Sequence, residues 1–286
     1  MGNTPLVYLL IITGCVLAIS CISVLLWFLG DASWQFWQAF GLSPLWADEW
    51  YPYESLYGLL PAIIGSFWVM IIAMMIAVPC GLSAAIVSSE ILPLSWQSWI
   101  RMGMEILAGI PSVVYGLIGL WVLLPWLQNI FDLLTGHSLL AAGMILSLMI
   151  LPTMMVMAQD ALRLIPLEQR ETAMSLGLNW NQRLCRILLP QAWPGIRSGI
   201  LLGLGRALGE TMAVMLVVGS LDRVPQPIYN ILEPAQTLTS RIGREMGEAA
   251  FGSMHFSALM ACGLVLAATA IFLSLLSQQH RGRLNV

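Results

Sequence analysis

The sequence predicts an all-α integral membrane protein with six transmembrane helices, on three observations. Of its 286 residues, 58% are hydrophobic and only 9% are charged, whereas ordinary soluble domains carry about 25% charged residues. The mean hydropathy of +0.83 arises from several separate apolar runs rather than from one greasy tail. Each run is long enough to cross the hydrocarbon core, which takes about 20 apolar residues in a helix.

The runs fall near residues 6–29, 58–88, 103–127, 139–159, 198–220 and 256–278. The first lacks a basic leader, has too long an apolar stretch for a cleavable signal and is followed by no clear small-residue cleavage site, so it reads as a retained helix. The second exceeds what a bilayer demands, and Pro79 with Gly81 is expected to kink it or end its spanning part. The chain then divides into a first helix with an outer interfacial segment (1–57), a membrane domain (58–278) carrying a cytoplasmic loop at 160–197, and a short tail (279–286).

Orientation follows the arginines. Arg163, Arg170, Arg183, Arg186 and Arg197 lie between the fourth and fifth spans, and Arg281 and Arg283 lie in the tail. The positive-inside rule makes these faces cytoplasmic and puts both termini inside. The 30–57 segment agrees, with Asp31, Asp48, Glu49 and Glu54, no basic residue, and interfacial Trp34, Trp37, Trp46, Trp50, Tyr51 and Tyr53. Arg223, Arg241 and Arg244 in the outer loop at about 221–255 dilute the bias, accompanied by Asp222, Glu233, Glu245 and Glu248.

Several function classes fall away. A net charge of -3 gives no basic patch for nucleic acid. Cys15, Cys21, Cys80, Cys185 and Cys262 are scattered without a CxxC pair, and His137, His255 and His280 are equally dispersed, so no metal and no cofactor are expected. The chain contains no lysine and no G-x4-GK-[ST] loop, so it cannot cradle and hydrolyse ATP that way. Arg206 and Glu210 stand out as intramembrane charges far from a span end; an enzyme would need a convergent catalytic set at one depth.

The cytoplasmic loop reads E-T-A-x3-G-x9-I-x-L-P from Glu171 to Pro190. Residues 168–176 suit a short helix, with Glu168 and Glu171 early, where the dipole favours acids, and Gly177 placed to end it. Residues 180–189 suit a second, stopped by Pro190 and Pro194. Physics alone allows a docking element or an amphipathic connector.

In the fifth span Arg206 sits about seven residues in, on the order of 10 Å below the edge. Such a residue costs about 2.5–3.5 kcal/mol unless it finds water or a partner. Glu210, at i+4, is expected on the same helical face, within reach of an ion pair. Two readings stay open: Arg206 receives an anion through paired hydrogen bonds while Glu210 sets how tightly it is held, or the two form a buried salt bridge that fixes packing. Gly199 with Gly203, and Gly205 with Gly209, suit a close helix–helix seam. Pro111-Ser112 either starts a helix or opens a break towards a path. Met144, Met149, Met154, Met155 and Met157 read as adaptable packing.

The loop pattern resembles the EAA signature of ABC importer permeases, which implies the type I ABC importer permease fold and a loop that docks on an ATPase. Carried onto this sequence, the resemblance makes Glu171, Ala173 and Gly177 the ATPase-coupling residues, with Thr172 departing from the usual alanine. Residues 110–116 (Ile110-Pro111-Ser112-Val113-Val114-Tyr115-Gly116), 205–214 around Arg206 and Glu210-Thr211-Met212-Ala213, Leu238-Thr239-Ser240 and Glu245-Met246-Gly247-Glu248-Ala249 are similar to PstC-type phosphate permeases over 58–278. The Glu210-Thr211-Met212-Ala213 tetrad is similar to that type rather than to its PstA partner. The resemblance implies a non-enzymatic permease subunit in the bacterial inner membrane, with Arg206 and Glu210 on the substrate path. Its implied partners are an ABC ATPase dimer, a PstA-like second permease, a periplasmic phosphate-binding protein and membrane lipid. A permease for sulfate, molybdate or phosphonate and a secondary transporter remain the alternatives.

Overall fold

A computed structural model describes residues 4–279, with side chains over 8–275. His280, Arg281 and Arg283, and with them nearly all of the expected tail, lie outside the described residues. The chain is helical almost throughout. Helix α1 (Thr4–Phe40) leads to a minute hairpin of β1 (Trp50–Tyr51) and β2 (Leu56–Tyr57). Then follow α2 (Leu60–Ile86), α3 (Leu94–Gly109), α4 (Ser112–Ile118), α5 (Leu124–Phe131), α6 (Leu139–Arg163), α7 (Leu167–Ser175) and α8 (Trp180–Arg183), and finally α9 (Leu189–Gly209), α10 (Met212–Val217), α11 (Leu238–Glu245) and α12 (Met254–Gln279).

Among the described residues five stretches are long and apolar enough to cross a membrane: Tyr8–Phe40, Leu60–Ile91, Ser112–Phe131, Leu139–Arg163 and Met254–Leu275. The expected fifth span at 198–220 is not one helix. It is built from α9 and α10, interrupted at Glu210 and Thr211. The third span also differs, because residues 103–109 belong to α3, ahead of the crossing. The chain is extended at Ile110 and Pro111 before the crossing begins at Ser112, since the residue before a proline is pushed out of the helical region. The first helix runs on to Phe40 instead of ending near residue 29, with no proline between to stop it. Pro79 lies inside α2 and does not end it.

Pro190 does not stop the second loop helix either. Helix α8 continues into α9 through a wide turn, Leu184–Leu188, closed by the Leu189 amide bonding back five residues to the Leu184 carbonyl. The same wide turn occurs at Val87–Ile91 and Gly119–Leu123. In all three cases a proline (Pro93, Pro125, Pro190) follows within two residues. A proline ring would otherwise collide with the carbonyl four residues back, and an extra residue in the turn before it moves that carbonyl away.

Helices α2 and α6 form the central pair, and α9 packs on α6. Along α9 the buried residues Ala192, Ile196, Gly199, Gly203 and Ala207 make one stripe. A Cβ on Gly199 would stand 2.9 Å from the Cβ of Met157, and one on Gly203 2.9 Å from Cγ2 of Ile150, so this is the close seam expected from the glycine spacing. Gly205 and Gly209 meet nothing within 4 Å and do not belong to it. The second core joins α1, the hairpin, α11 and α12 around Phe36, Trp50, Leu59, Leu238 and Cys262.

A charged network binds the end of the bundle that carries the hairpin and α11. Arg241 has 0% exposure. It donates to Asp222 Oδ1 at 2.5 Å and to the Gly58 carbonyl at 3.0 Å, and lies 4.1 Å from the Trp50 ring centre. Glu245 Oε2 accepts from Trp50 Nε1 at 2.9 Å and lies 2.9 Å from His255 Nε2. Arg244 reaches Asp222 and Glu245, both at 3.4 Å. Arg223, Arg241 and Arg244, which ran against the charge bias, each have an acidic partner, and α11 is anchored to α12 and the hairpin.

These contacts set two expectations for stability. Gly203→Leu should lower the thermal stability of the detergent-solubilised chain by about 1–3 kcal/mol through overpacking, whereas Gly205→Leu should not destabilise it. Arg241→Gln, which removes a fully buried guanidinium and leaves Asp222 only Arg244 at 3.4 Å, should cost about 1–3 kcal/mol; Arg223→Gln, at an exposed side chain 3.9 Å from Glu233, should change stability by less than about 1 kcal/mol.

Candidate functional site

Where α9 stops at Gly209, the backbone extends at Glu210 (φ -74°, ψ 123°). Such a break carries a cost at membrane depth, because it frees backbone groups that lipid cannot satisfy. Side chains take over. The Glu210 carboxylate accepts from the Ala213 amide at 3.2 Å, capping α10, and the Glu210 carbonyl accepts from Thr239 Oγ1 at 2.9 Å. Thr239 belongs to the first turn of α11, whose start is fixed in turn. The Leu238 amide donates to Ser66 Oγ on α2 at 2.9 Å, and Thr237 and Ser240 form a reciprocal cap. Gln236, also fully buried, accepts from Ser240 Oγ at 2.7 Å. A polar knot from α2, the α9–α10 break and α11 thus sits inside an apolar bundle. The cleft among Ser66, Thr237, Thr239 and Glu210 measures about 10 Å³, room for no more than one water.

Arg206 and Glu210 do not form the expected i, i+4 pair. The helix ends between them, and Glu210 turns to cap α10, so the shared face no longer exists. Among the described residues Arg206 has no ion-pair partner. It is half-buried in the last turn of α9, where a cation suits the helix dipole. With Leu202, Gly205 and Gly209 it forms a stripe that runs beside the α6 seam, with Arg206 on the edge nearest the seam and the two glycines open. Tyr115 on α4 lies within electrostatic reach of it.

At the other end α7 carries Glu171, exposed, and Ala173, 2% exposed. The helix ends at Gly177, whose φ of +72° is a left-handed conformation that glycine adopts without strain. The Gly177 and Leu178 amides bond back to the Met174 and Ala173 carbonyls, completing the stop. Asn179 and Gln182 then cap α8 reciprocally. Leu164, Leu167, Met174 and Leu176 around this loop are 57–83% exposed, an apolar patch of the kind that marks an interface. Nearby, Arg101 of α3 pairs with Asp160 of α6 and with Glu105; the hydrogen bond to Asp160 first, then that to Glu105, raises the Arg101 pKa above the ordinary arginine value.

Sequence reasoning missed the α11 contribution. Thr237, Thr239, Ser240 and Ser66 carry no charge, and nothing local in the outer loop signals that its helix returns into the bundle. The buried cap Thr237-x-x-Ser240 is the signal that was there to read.

Comparison with known proteins fits this architecture. Residues 77–283 match the family described as binding-protein-dependent transport system inner membrane component. The probable ABC transporter permease protein YqgH of Bacillus subtilis is 38% identical over 97% of this chain and 91% of its own length. The phosphate transport system permease protein PstC of Mesorhizobium japonicum is 36% identical, over 82% of this chain and 76% of its own. Among solved structures, a bacterial alginate ABC transporter in complex with an alginate-bound periplasmic protein superposes with a TM-score of 0.67 at 15% identity, covering 99% of this chain and 96% of that one. The shared architecture is that of type I ABC importer permeases. The chain belongs to the family of binding-protein-dependent transport system inner membrane components.

Proposed function

We propose that this multi-pass membrane protein is one of two permease subunits of an ATP-driven importer of inorganic phosphate. The observation that carries the reading is Arg206: a half-buried cation with no ion-pair partner among the described residues, on the open stripe of a broken helix. A guanidinium at membrane depth needs water, a counter-charge or an anion, and its planar fork suits two oxygens of a phosphate. Relatives named as phosphate permeases, 33–36% identical over about four-fifths of the chain, support the choice of anion.

In this reading the stripe of Leu202, Gly205, Arg206 and Gly209 faces a PstA-like second permease, and phosphate passes between them. Glu210 holds the α9–α10 break and tunes the path rather than pairing with Arg206. The chain has no phosphate-cradling lysine of its own, so ATP is hydrolysed by a dimer of separate ATPase subunits. Glu171, Ala173 and Gly177 carry the docking, and the exposed apolar patch around α7 supports it. A periplasmic phosphate-binding protein delivers the anion to the outer end. Residues 1–57 form the first crossing and an outer segment, 58–278 the membrane domain, and 279–286 an inner tail, with both termini cytoplasmic and α9–α10 together supplying the fifth of six crossings.

The test is radiolabelled phosphate uptake by the complete complex in proteoliposomes. The unchanged complex should import phosphate only with ATP. At equal assembly Arg206→Gln should abolish uptake, and Arg206→Lys should lower it by about ten-fold, as loss of one charge-assisted hydrogen bond would. Normal uptake by Arg206→Gln would make Arg206 structural. Import of sulfate in place of phosphate would overturn the substrate assignment.

A further inference from the structure

Helix α7 is poorly anchored by packing. Of its residues only Ala173 is buried, and its sequence Leu-Glu-Gln-Arg-Glu-Thr-Ala-Met-Ser has no apolar face. What ties it to the bundle is Arg170, adjacent to the outward-facing Glu171. Arg170 Nη1 donates to both carboxylate oxygens of Glu90, at 2.9 and 3.0 Å, and Nη2 donates to the Leu162 carbonyl at 2.7 Å. Glu90 lies in the wide turn Val87–Ile91 that finishes α2, and Leu162 lies in the last turn of α6. The three groups are largely shielded: the Arg170 and Glu90 side chains are 21% and 10% exposed. Gln159 Nε2 donates to Ser88 Oγ at 2.8 Å in a buried bond one turn away, so the ends of α2 and α6 are already joined to each other.

We propose that Arg170 is a positioning residue for energy coupling, a bolt that makes the docking helix move as one body with α2 and α6. The proposal rests on the importer reading given above. A push on Glu171 tilts α7; without the bolt, α7 held by one buried methyl group would swing independently. With it, displacement passes to α2 and α6, and α6 bears along the seam of Gly199 and Gly203 on α9, whose broken end carries Arg206 and Glu210. A planar fork is required for this, because one end of the guanidinium engages the carboxylate while the other engages a backbone carbonyl. A lysine ammonium is a point charge without that fixed geometry. The cavity of about 120 Å³ beside the bolt, lined by Glu90, Arg170, Ala173, Trp180 and Arg183, leaves α7 room to swing once the bolt is removed.

The test measures phosphate imported per ATP hydrolysed by the complete complex in proteoliposomes, for the unchanged chain, Arg170→Lys, Glu90→Gln and the double variant. Both single variants should keep hydrolysing ATP while the ratio falls by about ten-fold, and the double variant should fall no further than the worse single, since partners in one contact are not additive. A wild-type ratio in the single variants overturns the proposal, as does a fully additive loss in the double. Uptake and hydrolysis falling in parallel with the amount of assembled complex would mark a merely structural contact and also overturn it. If the unchanged complex moves a different oxyanion, the phosphate assignment fails alone, and the same ratio is read with that anion; uptake independent of ATP sinks both.

Discussion

A helix that stops inside a bilayer exposes amides and carbonyls that hydrocarbon cannot satisfy, and the architecture of this chain is organised around one such stop. At Glu210 and Thr211 the fifth crossing is interrupted. The carboxylate of Glu210 caps α10, and α11 is brought back into the bundle so that Thr239 can satisfy the Glu210 carbonyl. That placement of α11 requires its own supports: Ser66 from α2 at one end, and at the other the Arg241, Asp222, Glu245 and Trp50 network that ties it to the hairpin and α12. A polar, discontinuous element of this kind is tolerated at membrane depth only where it is buried in protein or lines a water-filled space. Here the break is buried in protein, held by Ser66, Thr239 and the start of α11.

The faces of α9 differ in how closely they are packed. Its glycine stripe at Gly199 and Gly203 is pressed onto α6 closely enough that any side chain would collide. The other stripe, with Gly205, Arg206 and Gly209, is free of contacts at its glycines and holds the Arg206 cation. Movement of α6 therefore carries the cation with it. At the other end of the bundle, α6 and α2 are joined by Gln159 with Ser88 and to α7 by Arg170 with Glu90. A continuous set of packed or hydrogen-bonded contacts thus runs from the exposed Glu171 to Arg206.

Much of this was legible in the sequence. Apolar run lengths located five crossings, and Gly177 marked the end of α7 because glycine alone enters the left-handed turn without strain. The short helices of the 160–197 loop were legible from the early Glu168 and the terminal Gly177. Three features were hidden for physical reasons. Gly209-Glu210-Thr211 is no strong helix breaker, so the interruption depends on tertiary partners supplied by α11 and α2. The 103–109 segment is apolar enough to pass for the start of a crossing, although Pro111 sets the true beginning at Ser112. Pro190 reads locally as a stop, yet the wide turn before it lets helix continue. Arg206 and Glu210 stood out by charge alone, and that they do not pair depends on the backbone direction at residue 210.

If Arg206 meets the transported anion, the open stripe of α9 must border an aqueous route. With the five native cysteines replaced, Gly209→Cys and Gly199→Cys would each be exposed to a membrane-impermeant thiol reagent in the assembled complex, with and without phosphate and ATP. Modification is expected at position 209, slowed by phosphate and altered by ATP, and none at position 199. Equal protection of both positions under all conditions would contradict an aqueous route along this stripe.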